Sequence, residues 1–233
     1  MSNIQNFETY LFISKKKIII LVNTDTNKTV YEKKVILDQD SKSSVFDELD
    51  FFLNENVFEI EKVLNSFIKK ICIIIDLDQF IPIQISIKEK SFENQIDIKN
   101  LNHLLYEAKD SCKDTIDDKK IIHMIINNYK IDNNSFQEIP KNINGKTFSL
   151  DIEFICAANS LIENLEKILK KYHIFIEKIV SAEYVERFLG ENEKNIFLMT
   201  KKIIHGHNRN EVELIKKTLK NKGFFEKFFN FFN

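Results

Sequence analysis

His205 and His207, separated only by Gly206, are the one pair of imidazoles close enough in the chain to invite a metal ion. Zinc asks for four donors, and no cysteine or carboxylate stands at ligand spacing beside them. The pair therefore reads as a polar hinge, and no metal is expected. Asp76 and Asp78 suggest paired carboxylates for acid–base work. They directly follow an apolar run, where a turn role outweighs a catalytic one. His123 lies inside an apolar stretch and reads as a half-buried histidine with its hydrogen bonds satisfied. Cys72, Cys112 and Cys156 are far apart and form no CxxC pair, the pattern of reduced core thiols in a cytosolic protein. No Ser/His/Asp or Cys/His arrangement is recognisable from residue order. The expectation is a non-enzymatic protein with no catalytic residue and no cofactor.

The remaining candidate works by partition rather than by bond making. The chain closes on a run in which Phe224, Phe225, Phe228, Phe229, Phe231 and Phe232 fall in one helical arc of roughly 160° at ~100° per residue. Glu226, Lys227, Asn230 and Asn233 fill the other arc, and Lys216, Lys217, Lys220 and Lys222 lie just upstream. An aromatic face beside a lysine cluster is what a helix lying in a membrane interface needs. The expected membrane-binding residues are these six phenylalanines with the four lysines and Lys227, and the expected lipid is anionic. A fully buried Phe is worth ~1.5–3 kcal/mol, so six at interfacial depth offer on the order of 5–8 kcal/mol. Ordering an isolated helix of this length opposes that gain. The competing reading, in which the stripe packs on the protein's own body, stays open.

Bulk composition narrows the classes. The 233 residues are 43% hydrophobic and 30% charged, ordinary for a folded domain with a sizeable core. A net charge of −1 excludes a chain-wide nucleic-acid surface, and no basic-aromatic pattern at RNA-binding spacing occurs. No signal peptide is expected at the start, and no apolar run approaches the ~18–20 residues of a spanning helix.

The elements that must carry these residues follow from hydrophobic period. Residues 10–14, 17–22 and 30–37 are β-rich, with polar turn residues at 24–27. Residues 41–56 hint at a short helix, and 57–70 predict a helix opened by Asn56 and Glu59. Residues 71–77 read as a buried strand and 82–89 as a half-exposed one, with Ile83, Ile85 and Ile87 alternating against Gln84, Ser86 and Lys88. A helix is expected over 98–112, and strands over 120–131 and 146–156 joined by a polar turn at 140–145. Ser160 and Glu163 suggest a capping box opening a helix over 160–172, followed by a strand over 173–180. Residues 190–210 read as a linker, with a short strand at 196–199.

This order of elements resembles the bacterial actin-like cell-division family FtsA. The stretch 11–22 stands where that family has its first two strands and phosphate loop. Residues 98–132, then Asn144-Gly145-Lys146, then 149–156 resemble its inserted subdomain, a strand-helix-strand-strand module shared with pilus-platform relatives. Residues 159–189 resemble the helix and strand that return to the first lobe, and the tail resembles the family's membrane-targeting helix. The family's acidic-x-Gly-Thr phosphate motif is missing: Phe12, Ser14 and Lys15 occupy the matching positions, a degenerate nucleotide loop. The second lobe is absent as well. The resemblance thus implies loss of nucleotide binding, of polymerisation and of contact with the ring protein FtsZ.

The expected fold class is α/β. It comprises a truncated actin-like (ribonuclease H-like) lobe at 1–82 and 174–190 and an inserted strand-helix-strand-strand α+β subdomain at 83–173. A linker at 191–210 and a C-terminal amphipathic helix at 211–233 complete it. The expected function is a membrane-associated adaptor of cell division, peripheral on the cytoplasmic side of the inner membrane at the division site, which holds other division proteins through the inserted subdomain. The alternative is a peptide-binding cytoplasmic component of a pilus or secretion platform. Residues 82–89 are the candidate edge for docking by β-addition.

Overall fold

The computed structural model describes residues 7–38, 40, 43–90, 98–139, 145–190 and 193–214. Three consecutive strands, β1 (Phe7–Ser14), β2 (Lys17–Thr24) and β3 (Thr29–Ile36), form an antiparallel meander. The Ser14 and Thr24–Asn27 turns reverse the chain, and Asn27 takes the left-handed conformation (φ 64°) that closes the second one. Helix α1 (Val45–Leu64) then crosses to β4 (Lys70–Asp76), which pairs parallel to β1. The last strand, β9 (Phe175–Ser181), pairs parallel to β4, giving the order β3-β2-β1-β4-β9. This is the ribonuclease H-like lobe expected from the sequence.

The central strands are apolar on both faces, since Leu11, Phe12 and Ile13 on β1 and Ile73, Ile74 and Ile75 on β4 are all buried. Such strands need a layer on each side. On one side α1 supplies Leu49, Leu53 and Ile60, and α3 (Asn159–Lys170) supplies Leu161, Leu165 and Leu169. On the other, α4 (Ala182–Glu186) and α5 (Ile196–Ile204) supply Tyr184, Phe197, Met199 and Ile203.

Between β4 and α3 the chain builds the inserted module: β5 (Phe80–Lys90), α2 (Ile98–Thr115), β6 (Lys119–Ile131), β7 (Asn134–Phe136) and β8 (Thr147–Ala158). Its sheet is antiparallel in the order β5-β8-β6-β7. Leu104, Leu105, Ala108 and Cys112 of α2 cover one face, against Met124, Phe148, Leu150 and Phe154. Ile125 and Ile155, from β6 and β8, sit instead in the core under α4 and α5.

Several expectations are corrected. The segments 41–56 and 57–70 form one helix, not two. Its start is the Ser44–Asp47 capping box, and it ends at Asn65 with φ 51°. Asn56 is not a cap. It is buried mid-helix, where its amide donates to the Phe52 carbonyl and its oxygen accepts from the Tyr31 hydroxyl. Ser160 does not cap α3 either. The N-cap is Ala158, which makes no side-chain bond, and Asn159 bonds Asp118 instead. The inserted module ends with β8, because α3 packs in the lobe core and not on the inserted sheet. The short strand β7, which pairs with the end of β6, was missed. The turn at 140–145 lies outside the described residues apart from Gly145.

The stretch taken as a linker holds α5, a helix where a strand was expected. Asn195 caps it by accepting from the Phe197 and Leu198 N–H groups. The Phe197 ring meets Tyr10 and Phe12 edge-on at 6.3 and 6.4 Å. Phe197→Ala is expected to lower unfolding free energy by about 3 kcal/mol in urea titrations, the cost of emptying a core site. A linker residue would change it by less than about 0.5 kcal/mol.

Candidate functional site

The loop that would meet a phosphate is the β1–β2 hairpin. Ser14 closes it from inside: its Oγ accepts from the N–H groups of Lys16 (3.3 Å) and Lys17 (3.1 Å) and donates to the Lys17 carbonyl (3.0 Å). Successive N–H groups of this kind bind anions when they face outward. Here the hydroxyl engages two of them. Lys15 pairs with Asp78, which follows β4. Asp76 stands opposite Ser14 in the β1–β4 register. Phe12 does not line the loop; its ring is buried against Phe197, with the Lys17 ammonium 5.1 Å from its centroid. The hairpin thus brings Ser14, Lys15 and Asp78 together and sends Phe12 into the core.

The two loop histidines part company. His205 lies 3.8 Å from Glu8, and His207 packs edge-on to Phe188 at 5.9 Å. Cys72, Cys112 and Cys156 are free and buried. Burial pushes the Cys72 and Cys156 thiols up to about 12, which leaves them unreactive. Lys216, Lys217, Lys220, Lys222 and Lys227, with Phe224, Phe225, Phe228, Phe229, Phe231 and Phe232, lie outside the described residues.

The most organised polar cluster lies where the two sheets meet, and only His123 of it was singled out from the sequence. His123 is 2% exposed. Its Nε2 accepts from the Ser181 N–H at 3.1 Å, so the hydrogen-bond pattern assigns the neutral tautomer with the proton on Nδ1. That Nδ1–H donates to Glu211 Oε1 at 2.8 Å. The Tyr184 hydroxyl donates to Glu211 Oε2 at 2.8 Å and accepts from the Asn208 amide at 2.8 Å. Two backbone bonds add to the clasp: Ile126 N–H to the Asn210 carbonyl and Val212 N–H to the Met124 carbonyl. Residues 208–214 thereby lie along the outer edge of β6, antiparallel through the Ile125–Glu211 bridge. A second tie crosses the same joint. Arg187, after α4, forks onto both oxygens of Glu153 on β8 at 2.7 and 3.0 Å.

The cluster has the donors of a catalytic relay but the placement of a joint. A cavity of about 340 Å³ lies beside it, lined among others by Lys109, Lys178, Ile203 and Leu214. Every polar atom of the His123 ring and the Glu211 carboxylate is already paired within the fold. Glu211, Tyr184, Asn208 and Arg187 carry no local sequence signal, because their partners are 24 to 88 residues away.

The inserted sheet also presents an open margin. β5 pairs with β8 on one side through eleven consecutive positions, Phe80↔Ala157 to Lys90↔Thr147, and no described strand pairs with its other side. Pro82 has no N–H, so its position must be one that faces away from β8. Strict alternation then turns the N–H groups of Gln84, Ser86 and Lys88 outward. Ile83, Ile85 and Ile87 pack against the core that α2 covers.

No family model and no curated protein sequence matches the chain. Solved structures it resembles include a PilM-PilN type IV pilus biogenesis complex, at 7% identity over 79% of this chain and 49% of that one, with a TM-score of 0.49. Another is the cytoplasmic domain of EpsL, an inner membrane component of the type II secretion system of Vibrio cholerae, at 12% identity, 77% and 57% coverage and a TM-score of 0.37. A third is a Bacteroides thetaiotaomicron protein with an actin-like ATPase fold, at 14% identity, 79% and 56% coverage and a TM-score of 0.34. The chain spans about half the length of these solved chains.

Burial pushes the Glu211 carboxyl up, but the His123 contact, the Tyr184 hydrogen bond and the Lys178 charge together hold it below its ordinary value of 4.5. A carboxylate lowered on folding stabilises the fold above that value, and the contribution fades as pH falls through the folded pKa. Glu211→Gln is expected to cost about 1–3 kcal/mol at pH 7 in urea titrations. The difference from the parent should shrink as pH drops below 4.5.

Proposed function

We propose that the chain is a non-enzymatic docking scaffold, a peptide-binding component of a pilus or secretion platform on the cytoplasmic side of the inner membrane. The observation that carries this reading is the open β5 margin. It is eleven residues long, is buttressed by α2, and has outward donors at Gln84, Ser86 and Lys88. An extended peptide of a platform protein adds there as a fifth strand, with backbone bonds for affinity and alternate side chains for selectivity. The reading does not rest on the distant structural likenesses, although the pilus and secretion assemblies they name are of this kind. The division assignment expected from the sequence has no comparable observation in its favour. The self-satisfied Ser14 hairpin and the fully paired His123 cluster support a scaffold over an enzyme.

Deleting residues 83–173 is the wrong test of the inserted module, because it removes α3 from the lobe core. Gln84→Pro with Lys88→Pro removes two outward donors and leaves the ladder to β8 intact. A photoreactive residue at the exposed position 86 is expected to capture one partner in cells from the parent chain and about thirtyfold less from the double variant, at ~1 kcal/mol per lost bond. Equal capture by both would sink the rail.

The tail supplies the proposed attachment to anionic lipid. No helix among the described residues is long and apolar enough to cross a membrane; the attachment proposed for the tail is peripheral. Truncation must follow Leu214, since an earlier cut removes Glu211 and Val212 from the clasp. The full chain is expected to float with phosphatidylglycerol-containing liposomes and residues 1–214 to stay at the bottom of the gradient. Flotation of both would assign the contact to the body.

A further inference from the structure

The β5 margin is not chemically uniform along its length. Ile83, Ile85 and Ile87 are half-buried and pack against the core that α2 covers. Glu89 is the next residue on that face, since side chains alternate along a strand and the ladder to β8 is unbroken. It stands opposite Phe148, whose ring is buried, so a carboxylate closes an apolar row. Glu89 Oε2 is shut off from water and accepts no hydrogen bond among the described residues. Glu89 makes no ion pair among them either. Its neighbour Lys88 is exposed on the other face of the sheet. A carboxylate oxygen in this condition is costly, and a cation brought from outside relieves it.

On an added antiparallel strand, residues directly opposite each other share a face. The outward backbone bonds lie at Gln84, Ser86 and Lys88, so Ile83, Ile85, Ile87 and Glu89 fall at the positions between them. Facing side chains approach closest there, across Cα atoms ~4.5 Å apart. We propose that the β5 margin selects an antiparallel segment that reads basic-x-aliphatic-x-aliphatic-x-aliphatic from its N-terminal end. Its Lys or Arg meets Glu89, and its three aliphatic residues extend the row of Ile87, Ile85 and Ile83. Antiparallel addition continues a sheet whose every pairing is antiparallel. An acidic residue at the first position would set two carboxylates face to face. The assignment rests on the β5 docking reading and adds the side-chain chemistry of the peptide.

The probe is the peptide Lys-Thr-Val-Thr-Val-Thr-Val, amidated and carrying fluorescein on an N-terminal Gly-Gly spacer. It is titrated with the full chain at pH 7 and followed by fluorescence anisotropy. A second peptide has norleucine for the lysine, which removes the charge and keeps the stem. The parent chain is expected to bind the lysine peptide about tenfold more tightly than the norleucine one. Glu89→Gln is expected to erase that preference while still binding the norleucine peptide, which shows that the variant folds. Glu89→Lys is expected to prefer a peptide with glutamate at the same position. Gln84→Pro with Lys88→Pro is expected to weaken both original peptides alike. Equal binding of those two by the parent, lost in the proline variant, overturns the basic selectivity and leaves the rail standing. A lysine preference that survives Glu89→Gln overturns it as well. Tighter binding of the reversed sequence overturns the antiparallel direction. If no peptide binds, the rail itself falls and the selectivity with it.

Discussion

A strand that is apolar on both faces cannot stop at one layer of cover, and β1 and β4 are such strands. Leu11 and Ile13 look one way and Phe12 the other; Ile73 and Ile75 one way and Ile74 the other. The first face is closed by α1 and α3, as in any lobe of this class. The second is closed by pieces from three places: α4 and α5 after the last strand, and Ile125 and Ile155 from the inserted sheet. That shared roof explains why the module is a fixed part of the body. It also explains why the chain beyond β9 is ordered far past the point where the lobe's strands end.

The clasp follows from the same arrangement. Bringing β6 against the end of β9 buries the Ser181 N–H and the His123 ring, and buried polar groups must find partners. His123 accepts from one side and donates to the other, and Glu211 completes the set from the returning segment. Arg187 and Glu153 repeat the solution on the opposite side of the joint. The joint is therefore held by directional contacts as well as by packing.

Much of this was legible in the sequence, and the rest failed for identifiable reasons. The meander, β4, the α2 helix and the alternation of β5 announce themselves through period. Asn56 misled because a polar residue before an apolar run looks like a cap, whereas its amide satisfies Phe52 within the helix and binds Tyr31 across it. Ser160 misled in the same way, one residue inside a helix that has already begun. The helix α5 was hidden by the loop-like residues on either side of it, and only its burial against Phe12 reveals why Phe197, Met199 and Ile203 are apolar. Of the candidate sites, the stretch holding Phe12, Ser14 and Lys15 folds as the β1–β2 hairpin, and the inward turn of Phe12 has no local signal. The His123 cluster was out of reach, because no local pattern announces a partner 88 residues on.

The edge strand β6 has a history written into it. Its first partner, β8, and its short neighbour β7 follow within a few dozen residues, yet the stretch around Ile125 is completed only by residues 210–212. As the chain leaves the ribosome, that stretch must wait through the synthesis of β8, α3, β9, α4 and α5 before its margin is sealed. During that interval the nascent module exposes an unpaired, isoleucine-rich border to solvent. In order of synthesis, that margin is sealed only after every strand and helix described above has been made.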